Sequence, residues 1–390
     1  MFVQKLKSDY LLIAIILLLT LLGLVTLYSA SFLFALNQPR RFSSGYAPLI
    51  GNLAACGIML FLFPILSLFK LNWLKNGKMV IFLLGLTFIL NLLPFIPFFQ
   101  KTWHRHGTDA MRWIVLKHGG QDFVSFQPSE LIKIILPLYL AYILDKNREK
   151  MDLFFYGPVP PAIITFIFFL LVLAQSNFSE AVLITLTSFI ICFAAGIRLR
   201  WFAAAIAVLT PIFWLLISSN KEGRWYQRIS SFLSKEPDPA GAGYQIMQSI
   251  DAIKSGGFWG KGIGQGLLKT RMPEVHGDFV FASYAEESGF IGVAFYLALI
   301  GLFAWIGYLT AWRSRDRFSQ IFAFGLVTSI VVQTLLNIAV VVNLIPTTGI
   351  PLPFVSSGGS SLLITLIASA LLVNMARQNI HSQVGGEHAG

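Results

Sequence analysis

The sequence predicts an all-α polytopic membrane protein, with about ten transmembrane helices and a long extracytoplasmic loop between helices 7 and 8. Three observations carry that prediction: the composition, the length of the apolar runs, and the placement of Lys and Arg. Hydrophobic residues make up 56% of the 390 residues and charged residues only 12%. The mean hydropathy is +0.71. A soluble domain of this length has no interior large enough for so much apolar surface, which excludes the ordinary soluble classes.

Crossing a bilayer takes roughly 20 apolar residues. Runs of that kind fall near 11–33, 47–69, 79–99, 127–144, 158–176, 178–196, 201–218, 279–311, 319–343 and 355–376. The fifth and sixth nearly touch, so a tight hairpin must join them. The first is too long for the core of a signal peptide and lacks a small-residue cleavage site, so it is expected to stay as an anchor.

Orientation follows from the basic residues of the short loops. One set carries Lys5, Lys7, Lys70, Lys75, Lys78, Lys146, Arg148, Lys150, Arg198, Arg200, Arg313, Arg315, Arg317 and Arg377, fourteen in all. The other carries Arg40, Arg41, Lys101, Arg105, Arg112 and Lys117, six in all. Both termini are therefore expected in the cytoplasm, and the long loop outside by parity. The formal charge of +11 is partly this topological bias and does not call for nucleic acid. The outer basic residues run against the bias, which fits either an anionic partner or anionic lipid headgroups. Cys56 and Cys192 both fall inside spans without metal-type spacing, and no disulfide between them is expected.

Residues 1–390 read as a single membrane domain with no appended soluble domain. Two outer segments stand out. Residues 100–126 are dense in Trp, His and Arg; residues 219–278 form the long loop. Loops of that length are usually functional or disordered. Trp225, Tyr226, Phe232, Tyr244, Phe258 and Trp259 give this one anchors to fold against the membrane surface.

Ionisable groups in or beside a membrane are costly and so point to function. Glu130 and Lys133, at i and i+3 after Gln127-Pro128-Ser129, share a helix face and can pair. The pair either fixes helix packing or also meets substrate. Glu180 opens the sixth span, where capping the helix is the default role. Glu286 and Glu287 lie about two turns into the eighth span. Asp278, just before that span, is either its N-cap or a partly desolvated carboxylate suited to general-base work. The glycine run from Gly256 to Gly266 lacks the strand and residue order of a nucleotide loop. With Lys261 and Lys269 it is either a cradle for a lipid diphosphate or a tight turn. His104, His106 and His118 match no metal-binding spacing and read as an interfacial loop. The last outer segment, 346–361, has no charge, three prolines, and serines beside Gly358-Gly359 that suit anion contacts.

Taken together, the motifs resemble the SEDS family of bacterial cell-wall proteins, the FtsW, RodA and SpoVE group, over nearly the whole chain. They begin with Leu27-Tyr28-Ser29-Ala30-Ser31, continue through Arg112-Trp113-Ile114 and Gln127-Pro128-Ser129-Glu130 with Lys133, and close with 351–361. The strongest are Gly241-Ala242-Gly243-Tyr244-Gln245 with Gln248-Ser249, Gly260-Lys261-Gly262-Ile263-Gly264 with Lys269, and Pro273-Glu274-Val275-His276-Gly277-Asp278-Phe279. The Gly243-Tyr244-Gln245 and Lys269 features are closest to the FtsW branch. Several positions depart from the family pattern. Asp109-Ala110-Met111 lacks a basic residue, Asn177 replaces an Asp, Gly277 replaces a Thr, Ser357 replaces a Tyr, and Lys235 replaces a Pro.

The resemblance implies a peptidoglycan glycosyltransferase in the bacterial inner membrane. It would join lipid II units outside the cell and release undecaprenyl diphosphate. Asp278 falls on the family's essential acidic position and would take the acceptor hydroxyl's proton. Arg112, Lys133, Arg228 and Lys269 would stabilise the departing diphosphate, with room for a divalent cation, Mg2+ or Mn2+. Glu130, Gln245, Gln248, Glu274, His276, Ser356 and Ser357 complete the expected substrate site. The implied partners are a class B penicillin-binding transpeptidase and other divisome proteins. A lipid II flippase, a RodA-like sidewall polymerase and a division scaffold remain alternatives.

Overall fold

The computed structural model describes residues 8–37, 47–69, 71–96, 112–118, 121–205, 207, 232, 242–272 and 275–387. In chain order its helices are α1 (Ser8–Asn37), α2 (Ala47–Leu68), α3 (Gly77–Leu92), α4 (Ile132–Lys146), α5 (Val159–Ala174), α6 (Phe178–Ala194), α7 (Ala242–Gly256), α8 (Leu268–Arg271), α9 (Val280–Arg313), α10 (Arg317–Val341) and α11 (Gly359–Glu387). Two strands, β1 (Ile114–His118) and β2 (Gln121–Phe126), lie between α3 and α4.

Among the described residues, α1, α2, α3, α9, α10 and α11 are long and apolar enough to cross a membrane, and α5 and α6 are shorter apolar helices. These eight correspond to the first three, fifth, sixth and last three expected spans. Only Gln175, Ser176 and Asn177 separate α5 from α6, so the hairpin is tight; Ser176 turns it with a φ of 59°. The seventh expected span is helical over 201–205 and at 207, and the rest of it lies outside the described residues.

The fourth expected span behaves differently. It opens as a 3-10 turn over Pro128–Leu131 and becomes α-helical at Ile132. Proline suits that start, because the N–H it lacks would have had no partner there. Ten of the fifteen residues of α4 are buried, and it packs against α3, α6 and α10. A helix covered on nearly all sides is a core element rather than a lipid-facing one. Around the core, α11 lies along α2, and α9 packs on both α1 and α10. Leu60, Phe61, Ile81, Phe82, Trp305 and Trp312 remain exposed on the outside. Patches of that kind suit a lipid environment, because the helices satisfy their own backbone hydrogen bonds.

The helical, multi-pass class holds, and two local features add to it. First, β1 and β2 pair antiparallel, from Ile114 opposite Phe126 to His118 opposite Gln121, with an irregularity between Leu116 and Lys117. The Gly119-Gly120 dipeptide between two β-rich runs is a hairpin signal that a reading of loop composition passes over. Second, α9 is broken at Gly289, whose φ of 63° and ψ of −166° are not helical.

At the end of the bundle opposite Asp278, charged residues pair across the turns. Lys75 meets Asp316 at 2.8 Å, Arg198 meets Asp152 at 2.5 Å, and Arg377 meets Asp9 at 3.2 Å. Asp316 also caps α10, accepting from the Ser319 N–H at 3.0 Å. Cys56 and Cys192 are free thiols.

Candidate active site

The segment linking α10 to α11 crosses one end of the bundle without regular structure. Its carbonyls need partners that a ladder would otherwise provide. Amide and hydroxyl side chains from three helices, α2, α6 and α10, supply several of them. Asn337 of α10 donates to the carbonyls of Ile350 at 2.7 Å and Asp278 at 2.9 Å. Gln333, one turn earlier, donates to the Pro351 carbonyl at 2.8 Å. Asn52 of α2 donates to the Ser356 carbonyl and accepts from the Gly358 N–H, both at 3.1 Å. Ser179 of α6 donates to the Thr348 carbonyl.

The turn before α9 docks on this segment. Ser356 Oγ donates to the Gly277 carbonyl at 2.7 Å and accepts from the Leu352 N–H at 2.6 Å. The Ser357 N–H donates to the His276 carbonyl at 2.8 Å. Val275 and Phe279 are buried on either side. They pin a half-buried Asp278 whose Oδ2 faces Gly349, where an added Cβ would come within 3.1 Å. Phe279 occupies the cap position of α9 without a side-chain cap bond, so Asp278 is not its N-cap. Burial pushes the His276 imidazole down to about 4, and the charge of Lys269 acts in the same direction. His276 is therefore neutral at pH 7 and adds no positive charge to the site.

A buried ionic group lies at the same end, between α4 and α6. Lys133 Nζ reaches Glu130 Oε2 at 2.8 Å and Glu180 Oε1 at 3.2 Å. The i, i+3 spacing explains the first contact; the packing of α4 on α6 makes the second. Glu180 lies in the first turn of α6, as expected, and there also serves as a counter-charge to Lys133. Through its neighbour Ser179, Glu180 is tied to Thr348 and so to the segment facing Asp278. Arg112, just before β1, donates to the Ser176 carbonyl in the α5–α6 turn, and its charge also acts on Glu180.

A second ionic group joins the glycine-rich loop to α9. Glu286 accepts from Lys261 Nζ at 2.7 Å and from the N–H groups of Leu267 and Leu268 at 3.0 and 2.9 Å. Glu287 accepts from the Gly264 and Gly266 N–H groups at 3.0 and 3.4 Å, from Ser29 Oγ at 3.0 Å, and from Lys269 Nζ. The loop is thus a cradle for anions, but its anions are the chain's own carboxylates. Lys269, expected to meet a diphosphate, is ion-paired to Glu287 with its side chain fully buried. Burial draws its ammonium below the usual lysine range, against the pull of Glu287.

Asp278, His276, Ser356 and Ser357 thus come together, with Glu130, Lys133 and Arg112 nearby through the Ser179–Thr348 link. Gln245 and Gln248 are half-buried on the first turns of α7. That helix is fastened to the end of α10, where Ser249 Oγ donates to the Val341 carbonyl at 2.8 Å. Arg228, Glu274, His104 and His106 lie outside the described residues. Sequence reasoning missed Asn52, Ser179, Gln333 and Asn337. The available signal was a lone polar side chain inside an apolar span, a weaker cue than a charge. Hard cations such as Mg2+ seek clustered oxygen ligands. Among the described residues no three His, Cys, Asp or Glu side chains gather to hold one; Glu274 lies outside the described residues.

Fold and site together define a multi-pass membrane protein with a polar centre at one end of its bundle. The FtsW/RodA/SpoVE family, described as cell cycle protein, matches residues 9–381. The chain is 33% identical to a probable peptidoglycan glycosyltransferase FtsW of Borreliella burgdorferi, covering 96% of this chain and 98% of that one. It is also 33% identical to the stage V sporulation protein E of Bacillus subtilis, with the same coverage. Two solved structures share the fold. One is a chain of a complex described as "Structural coordination of polymerization and crosslinking by a peptidoglycan synthase complex" (TM-score 0.76, 25% identity, 96% of this chain and 99% of that one). The other is the rod shape determining protein RodA of Thermus thermophilus (TM-score 0.66, 24% identity, the same coverage). The chain belongs to the FtsW/RodA/SpoVE family.

Proposed function

We propose that this protein is a peptidoglycan glycosyltransferase that polymerises lipid II. The observation that carries the reading is Asp278. It is a half-buried carboxylate pinned between apolar neighbours and facing the charge-free segment, which Ser179 ties to the buried Lys133 group. A carboxylate so placed is suited to accept a proton from a sugar hydroxyl. In the proposed step, Asp278 takes the proton of the acceptor hydroxyl while that oxygen attacks the donor's anomeric carbon. The bond from that carbon to the diphosphate oxygen breaks, and undecaprenyl diphosphate leaves with the electron pair. Arg112, and Arg228 from the long loop, stabilise the charge that develops on it.

In this reading the protein lies in the bacterial inner membrane with both termini in the cytoplasm and Asp278 on the outer face. Its place is the division septum, as the FtsW-named relatives suggest, beside a class B transpeptidase that crosslinks the new strands. Transport of lipid II would call for charges along a path across the bilayer. The described charges instead gather at the two ends, which favours the transferase.

The test is polymerisation of purified lipid II in liposomes by the full chain, with and without a cognate transpeptidase. Glycan strands and released undecaprenyl diphosphate are expected. Transbilayer movement of lipid II without strands, even with the partner present, would reject the reading in favour of transport.

A further inference from the structure

The glycine-rich loop and α9 are joined by contacts that the proposed reaction does not use. At the break in α9, the last carbonyls of the first half-helix and the first N–H groups of the second lose their helical partners. Loop residues 257–262 supply both sets. The N–H groups of Lys261 and Gly262 each donate at 3.0 Å to the carbonyls of Glu286 and Glu287. The N–H groups of Phe290 and Ile291 donate to the carbonyls of Gly257 and Phe258 at 2.9 and 3.3 Å.

The two backbones are in direct contact. A Cβ on Gly289 would lie 2.2 Å from the Gly260 nitrogen, and one on Gly260 would lie 2.1 Å from the Glu287 carbonyl oxygen. Both residues also have φ in the left-handed half, at 63° and 79°, so glycine is required at each on two grounds. Side chains complete the joint. Glu286 and Glu287 bind Lys261 and Lys269, and Ser29 ties Glu287 to α1. Two carboxylates and two ammonium groups cancel, and loop N–H donors are spent on those carboxylates. Little is left to attract a further anion.

The first half of α9, residues 280–288, starts two residues after Asp278. Its far end is fixed by this loop rather than by continuation of the helix. We propose that Glu286 and Glu287 are positioning residues: by locking the 280–288 half-helix to loop 257–269, they set where the Asp278 carboxylate stands. The inference rests on the reading of Asp278 as the base. It gives the Leu27–Ser31 motif a purpose through Ser29, and it gives the glycine run one through its backbone.

The test uses Lys261→Met and Glu286→Gln in the full chain, assayed for lipid II polymerisation, with hydrogen exchange followed over 279–288. Lys261 is partly exposed, so Lys261→Met removes one ion pair without emptying a buried position. It remains informative if Glu286→Gln does not fold. Exchange over 279–288 is expected to rise. The kcat is expected to fall about tenfold, with KM for lipid II within about twofold of wild type, because small misplacements of a reacting group act on the chemical step. Unchanged kcat beside an active wild type would overturn the inference, as would a loss confined to KM. Flat exchange would overturn it whatever the activity. If the wild type made no strands while exchange still rose in the variants, the transferase reading would fail and the lock on the Asp278 half-helix would stand.

Discussion

Two groups of buried charge lie at the same end of the bundle, and their balance differs. In the first, a single ammonium, Lys133, serves two carboxylates, Glu130 and Glu180. In the second, Lys261 and Lys269 serve Glu286 and Glu287 one to one, and backbone N–H groups add to each carboxylate. Burying charge is costly unless it is paired and hydrogen-bonded. A balanced, saturated group can therefore be pure architecture. An unbalanced one draws on charge from elsewhere, and Arg112 already acts on Glu180. The difference assigns the second group to holding α9 and leaves the first as the one able to respond to a charged substrate.

The largest expected effect sets the two groups against each other. Glu287→Gln strands the Lys269 ammonium in a fully buried position and should cost about 3–5 kcal/mol of stability. Glu180→Gln leaves Lys133 and Glu130 as a one-to-one pair and should change stability by no more than about 1 kcal/mol. Melting temperatures of the two purified variants measure this, and equal losses would break the comparison.

Gly289→Ala sharpens the comparison from the backbone side. It forces a side chain against the Gly260 nitrogen at a positive φ, and strain of that kind costs on the order of 1–3 kcal/mol. Gly301, in the second half of α9, has nothing within 4 Å of an added Cβ. Gly301→Ala should therefore leave the melting temperature nearly unchanged. A Gly289→Ala protein as stable as the Gly301→Ala control would mean that the loop does not hold the break closed.

The smallest expected effect concerns His276, on which Lys269 acts. Its folded value of about 4 lies below the ordinary 6.5, so the native state stays neutral while the unfolded chain takes up a proton. The associated stability is complete above pH 6.5 and is lost as the pH falls towards 4. His276→Asn should flatten the fall in melting temperature across that window. A variant that tracks wild type through it would remove His276 from the buried set.

Much of this was legible in the sequence because local spacing decides it. Hydropathy gave away the six long helices, and an i, i+3 spacing on one helix brought Glu130 and Lys133 together. The third member, Glu180, was visible only as an acidic residue in a first helical turn. Its real partner depends on how α4 meets α6, which no local pattern encodes. The glycine run announced turns and an anion cradle, but the carboxylates that fill it lie some twenty residues further on. The break at Gly289 was hidden because Gly289-Phe290 in an apolar run looks like any other part of a membrane span. Asn52 and Asn337, which hold the segment facing Asp278, act through long-range contacts to backbone carbonyls.

The most direct measurement of the central claim is the turnover of lipid II by Asp278→Asn, compared with wild type at equal folded concentration and with the transpeptidase partner present. Asparagine keeps the shape of the side chain but cannot accept the proton. Loss of a general base typically costs a factor of about 10²–10⁴, and a fall in kcat of that size with an unchanged melting temperature is the predicted result. Strand synthesis by Asp278→Asn at the wild-type rate would contradict the account.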